Sequence, residues 1–201
     1  MPTIYVADEA QPNAFATGRN PHHAAVVVTR GILQVLDRNE LRGVLAHELS
    51  HVKNRDILIG SVAAAVALAI TFVARFAFWG ALFGGGGGGG DRDNAFGAQL
   101  MWILAPIAAA LLQMSLSRSR EYQADESGAH LAHDGESLAR ALEKIEAYAK
   151  QVPMNVAPAQ AQAYIVNPLT GRKVEFANLW SSHPPTAERV ARLRHQHSRS
   201  T

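Results

Sequence analysis

The 201-residue sequence contains no cysteine. That excludes a disulfide framework, a cysteine nucleophile and a thiolate metal site. Charge is scarce: 18% of residues are Asp, Glu, Lys or Arg, against about a quarter in average proteins. The two signs nearly cancel, at 19 basic and 17 acidic residues, so nothing in the balance argues for nucleic acid as a partner. Aromatics make up only 7%. MPTIYVADEA has neither a basic n-region nor an apolar h-region, so no secretory signal is expected there. With 48% hydrophobic residues, the composition also argues against wholesale disorder.

The apolar residues are very unevenly placed. Ile57 to Ala74 carries no charge, and after Arg75 the run continues to Phe83. A second uncharged run covers Asn94 to Ser117. Each reaches the roughly 20 residues a helix needs to cross a bilayer core. The competing reading is a pair of buried helices in a soluble core; uncharged runs of this length favour the membrane. Arg75 sits late in the first run, where it can snorkel to headgroups. Trp79 and Trp102 fall near the same interface, as belt aromatics do. Pro106 is expected to kink the second run, a feature that membrane helices tolerate. Between the runs, Gly84 to Gly90 followed by DRDN lacks the Lys-Ser or Lys-Thr of a phosphate loop and reads as a hairpin connector. Lys53 and Arg55 before the hairpin, with Arg118 and Arg120 after it, put the flanking segments on the cytoplasmic side.

Outside the hairpin, Ile4–Val6, Asn13–Gly18 and Ala24–Thr29 suggest a small antiparallel sheet. Asp37 with Glu40 three residues on is a capping-box pattern that opens a helix. Leu41, Val44, Leu45, Leu49 and Val52 give that helix an apolar face, and it either stops near Asn54 or runs on into the first span. A helix is expected over Ser119–Ala132, a second after Asp134, and a short basic one over Pro185–Arg194 ahead of a frayed tail. The fold class is therefore α+β, mostly helical, with a small sheet and a two-helix membrane hairpin. The divisions are 1–56, 57–117 and 118–201.

The chemistry lies on the capped helix. His47-Glu48-Leu49-Ser50-His51 is HExxH, with two imidazoles one turn apart that can share one metal and a carboxylate beside it. A catalytic zinc needs a third protein ligand. Glu121 and Asp125, also one turn apart, are the candidates: Glu121 as ligand, Asp125 as partner to a ligand histidine's outer N–H. The alternative is a solvated acidic face, with Glu121 paired to Arg118 or Arg120. A hairpin returns Glu121 to the membrane surface that carries His51.

These residues have wider company. PNAFATG at 12–18, LAHELSHVKNRD at 45–56, SRSREYQAD at 117–125, NPLTG at 167–171 and SSHPPTAERVARL at 181–193 resemble, in that order, the HtpX family of membrane-embedded zinc metalloproteases, which is related to the CAAX prenyl proteases. The resemblance implies a gluzincin-type core, one Zn2+ held by His47, His51 and Glu121, and Glu48 as general base. It implies that the segment with Asn13, Ala14 and Phe15 lines the substrate groove, and that His183 and Arg189 stabilise an oxyanion. By residue type alone, His183 reads equally as a loop histidine, Arg189 as a surface charge and Asn13 as an Asx turn. The family usually carries two further membrane helices ahead of the segment matching Ile4–Gly18. The implied activity is hydrolysis of misfolded or damaged membrane proteins at the cytoplasmic face of a bacterial-type inner membrane, as stress-related quality control. Partners are then protein substrates and the lipid bilayer. A non-catalytic zinc-binding membrane scaffold is the alternative. A metal transporter ranks last, because Arg75 is the sole ionisable residue inside the spans and binds no metal. The arginines of the last helix (Arg189, Arg192, Arg194, Arg199) form a solvated face or touch anionic lipid.

Overall fold

The computed structural model describes residues 2–83, 91–152, 164–166 and 184–200. The order is β1 (Thr3–Ala7), β2 (Ala14–Asn20), β3 (His23–Thr29), α1 (Arg30–Val35), α2 (Arg38–Lys53), α3 (Asp56–Phe83), α4 (Asp91–Ala132), α5 (Gly135–Gln151) and α6 (Thr186–Ser200). The chain divides into two compact units, one of 1–58 with 117–201 and one of 59–116.

The first unit is built on a three-stranded sheet of order β1-β3-β2. It is mixed rather than wholly antiparallel: β2 pairs antiparallel with β3, but β1 runs parallel to β3, with Thr3 opposite Ala25 and Ala7 opposite Thr29. The reason is the placement of β3. Its run of valines is the sequence best suited to a central, two-sided strand, and Val26 and Val28 are buried. β2 reaches one side of it through the tight turn after Asn20, so β1 takes the other side. Among the described residues, the outer edge of β2 pairs with no further strand of the sheet.

α2 starts as its capping box predicts. Asp37 accepts from the Asn39 and Glu40 amides at 2.8 and 2.9 Å, and Glu40 accepts from the Asp37 amide at 2.9 Å. It stops at Lys53, with Asn54 as C-cap and Arg55 in the left-handed region at φ 57°, and so does not run on into α3. α5 is capped by Asp134, which accepts from the Ser137 amide at 3.0 Å. Its apolar side, Leu138, Leu142 and Ile145, is fully buried and packs with Val28, Ile32, Val44, Val190 and Leu193 to form the core. α2 is thereby fixed between the sheet and α5. Short helix α1 was not expected from sequence, and α6 continues past Arg194 to Ser200.

The second unit is a pair of helical segments. α3 and the Phe96–Ala132 part of α4 are each long and apolar enough to cross a membrane. Phe78 and Trp102 stack with ring centroids 5.3 Å apart, which sets the two segments side by side. The second run and the expected helix after Ser119 are one continuous 42-residue helix, with Pro106 inside it.

Candidate metal centre

His47 and His51 project from the same side of α2, as residues four apart must. His47 is buried at 1% exposure and His51 is part-buried. Their Nε2 atoms are 3.1 Å apart. α4 brings in Glu121: Oε2 lies 3.7 Å from His47 Nε2 and Oε1 3.7 Å from His51 Nε2. The approach of α4 to α2 depends on Gly128, where a Cβ would come within 2.9 Å of the His47 Cα and amide nitrogen. Among the described residues these three side chains are the one group able to share a metal ion.

The spacing suits one. Ligand atoms about 2.0–2.1 Å from a tetrahedral zinc lie about 3.3–3.4 Å from each other, close to the 3.1, 3.7 and 3.7 Å edges seen. The donor chemistry agrees. Nδ1 of His47 lies 2.9 Å from Asp125 Oδ1, and Nδ1 of His51 lies 2.6 Å from Asp56 Oδ2. The aligned bond to Asp56 keeps the proton of His51 on Nδ1 and its lone pair on Nε2, and Asp125 favours the same tautomer of His47. Two lone pairs turned toward each other repel unless a positive charge stands near them; the Arg189 guanidinium is one such charge and a bound cation would be another. The His47–Asp125 contact is close but poorly aligned as a hydrogen bond; the His51–Asp56 one is aligned.

Glu48 is buried beside the cluster, and its Oε2 accepts from the backbone amide of Ala16 in β2 at 2.9 Å. Burial pushes its carboxyl above the ordinary value; the charges of His47 and His51 offset only part of that. A raised carboxyl is a better proton carrier near neutral pH. Asp125 behaves oppositely. Burial raises it, but the charge and hydrogen bonds of Arg189, with His47, outweigh burial and bring it down to about 2.

Arg189 is no surface charge: it is 1% exposed. Nε and Nη2 donate to Asp125 at 2.8 and 2.7 Å, and Nη1 donates to the Ile165 carbonyl at 3.0 Å. Nη1 also lies 3.4 Å from Glu121, and Nη2 3.5 Å from His47 Nε2. Asn13 is buried, and its side chain reaches a residue remote in sequence. Its amide donates to Thr29 Oγ1 at 2.8 Å, and its side-chain oxygen accepts from Ile165 N–H at 3.2 Å. Ala14 is buried, and Phe15 is half-buried in the edge strand. Arg120 donates to the Asp56 carbonyl at 2.6 Å. His183 lies outside the described residues. Sequence reasoning did not single out Asp56 or the Ala16 amide. The available signal for Asp56 was an acid five positions after His51, at the end of LAHELSHVKNRD.

A buried His-His-Glu cluster beside a carboxylate and an edge strand defines a metallopeptidase-like centre. The family model for Peptidase family M48 matches residues 1–197, and the chain belongs to that family. Its relatives include proteins named Protease HtpX homolog. The one from Desulfatibacillum aliphaticivorans is 55% identical over 195 residues, covering 96% of this chain and 62% of the relative. The one from Syntrophobacter fumaroxidans is 54% identical over 198 residues, 96% of this chain and 70% of the relative. That of Aquifex aeolicus is 52% identical over 197 residues, 96% and 65%. The chain thus spans about two thirds of the length of these relatives. The crystal structure of S. mikatae Ste24p shares the fold, with a TM-score of 0.61 at 23% identity over 96% of this chain and 46% of that one.

Proposed function

We propose that this chain is a membrane-bound zinc metalloendopeptidase of the gluzincin type. The observation that carries this reading is the convergence of His47 Nε2, His51 Nε2 and Glu121 at 3.1–3.7 Å, with Glu48 buried next to them. Those three side chains would hold the ion, and two nitrogens with one oxygen suit zinc. Zinc bound there supplies Lewis acidity toward a carbonyl and a water of lowered pKa, about 7.

The rest is done by the chain itself. Glu48, raised by burial, takes a proton from the attacking water and returns it to the leaving amine. Ala16 N–H holds one Glu48 oxygen in place meanwhile. The outer edge of β2 over 13–17 receives an extended peptide by main-chain hydrogen bonding, which gives affinity with little side-chain preference. Asn13 supports that edge through its hydrogen bond to Ile165, and Ala14 and Phe15 form it. Asp125 fixes His47, and Arg189 holds Asp125 by a bidentate pair. Nη2 of Arg189, 3.5 Å from His47 Nε2, brings a fixed positive charge to where an oxyanion would form. His183 remains a candidate for the same task.

Two long helices with outward-facing apolar side chains support residence in a membrane. The basic residues flanking the hairpin support a cytoplasmic site in a bacterial-type inner membrane. The substrates on this reading are misfolded or damaged membrane proteins, cleaved in stress-related quality control. The test is Glu48→Gln, purified in detergent with wild type. The variant should keep one zinc by mass spectrometry and lose casein cleavage by about 10²–10⁴-fold. Full cleavage with zinc retained would remove Glu48 from the mechanism. A wild type that binds zinc and cleaves nothing would favour a scaffold.

A further inference from the structure

The turn between α2 and α3 adopts a conformation its residues do not favour. Asn54 ends α2, and Arg55 then takes φ 57°, where a Cβ meets the backbone. Such a conformation persists when the surroundings enforce it, often at functional sites. Its effect here is to turn the first residue of α3 back on α2. Asp56 is buried at 7% exposure, with Oδ2 2.6 Å from His51 Nδ1. The Asp56 carbonyl accepts from Arg120 Nη1 at 2.6 Å, and Arg120 directly precedes Glu121. An acid in the first turn of a helix commonly serves its N-terminus. Asp56 does not fit that role well: one oxygen is spent on His51, and among the described residues Oδ1 has no hydrogen-bond partner.

We propose that Asp56 is a positioning residue of the metal centre, which selects the tautomer of His51 that can bind metal. The proposal rests on His51 being a zinc ligand, as argued above. A neutral imidazole has one lone pair, and the hydrogen bond at one nitrogen decides which nitrogen carries it. With Nδ1–H given to Asp56, the lone pair sits on Nε2, facing His47 Nε2 and Glu121. In the other tautomer Nε2 carries the proton and cannot ligate. Asp125 lies 2.9 Å from His47 Nδ1 in a less well aligned contact and takes two hydrogen bonds from Arg189. The two histidines are thus held by different devices: His47 by a carboxylate–guanidinium pair, His51 by the start of α3. Arg120 ties that start to the helix that supplies the third ligand.

The experiment uses the full chain in detergent, as wild type, Asp56→Asn, Asp56→Ala and the double variant His47→Ala/His51→Ala. Zinc affinity is read by chelator competition, and the His51 tautomer by 15N NMR of histidine-labelled protein. Asp56→Ala should weaken zinc binding about 10–100-fold, the usual effect of losing such a partner, and should mix the tautomers. Asp56→Asn should lose less, since its amide oxygen still accepts from Nδ1. Circular dichroism reports folding; if the alanine variant does not fold, the asparagine variant decides. Wild-type affinity with an unchanged tautomer overturns the proposal, even where stability falls, because a merely structural acid would do only that. If wild type binds zinc no better than the double histidine variant, the metal centre itself falls, and Asp56's role with it.

Discussion

The two units bury opposite things. In the first, Leu138, Leu142, Ile145 and Leu193 are sealed inside, together with an island of ionisable side chains: His47, Glu48, Asp56, Glu121, Asp125 and Arg189. In the second, the buried residues among those described are alanines (Ala67, Ala74, Ala105 and Ala109), while Leu68, Phe72 and Phe76 are 69–72% exposed. Small residues where helices meet and large apolar ones outside is the packing expected when the surroundings are themselves apolar. In water, such an exterior would be a large uncovered patch. The first unit is organised by the hydrophobic effect. It tolerates buried charge only because each carboxylate has a cation, an imidazole or an amide against it. Among its described residues the second buries no charged side chain, Arg75 being exposed, and it relies on shape.

This contrast can be broken most directly at Phe72, near the middle of α3. If lipid surrounds it, Phe72→Asp adds about 2.5–3.5 kcal/mol to the cost of insertion. The protein should then leave the alkali-resistant membrane fraction. Unchanged membrane retention would mean that the apolar exterior faces something other than lipid. Inside the first unit, Gly128→Ala forces α2 and α4 apart at a 2.9 Å contact. It should cost about 1–3 kcal/mol and weaken zinc binding as well, since Glu121 and Asp125 ride on the same helix. A lowered denaturation midpoint with unchanged zinc affinity would show that the ligand spacing is set elsewhere.

The smallest effect is expected at Asp134→Ala, about 0.5–2 kcal/mol for a lost N-cap at neutral pH. Burial raises the Asp134 carboxyl, but the Ser137 hydrogen bonds and the Arg42 charge outweigh it and leave it below its ordinary value. The folded protein therefore binds this proton less readily than the unfolded chain. The stabilisation is complete above the unfolded value of about 3.9 and fades as pH falls through the folded one. The gap in thermal midpoint between wild type and variant should close on acidification. A gap that stays constant would assign the cap's contribution to something other than its charge.

Much of this contrast was legible in the sequence. The HExxH helix could be read because the Asp37–Glu40 box, the apolar spacing and the paired imidazoles are all local. Glu121 and Asp125 were reachable because a hairpin must bring the chain back beside its start. What escaped depends on contacts remote in sequence. The parallel β1–β3 pair follows from which strand takes the centre, and period-two patterning says nothing about direction. Helix α1 contains Gly31, which reads as a break. In the structure it lets the chain pass the Ala10 carbonyl, which a Cβ would meet at 2.0 Å. The sequence of α4 suggests two helices because its composition changes near Ser117, although no proline or glycine interrupts it between Met114 and Ser127. By residue type Arg189 fits the site and a surface charge equally, because nothing in its neighbours signals burial. Asp56 escaped because a left-handed arginine has no sequence signature.

The hydrogen bond from Ala16 to Glu48 carries one more consequence. The amide that steadies the base belongs to the strand along which a peptide would be laid. On the proposed reading, an incoming chain would either compete with Glu48 for that N–H or align its own carbonyls with other groups of the strand. If peptides dock there, the frame in which they settle would be chosen by backbone geometry at a single alanine, before any side chain is inspected.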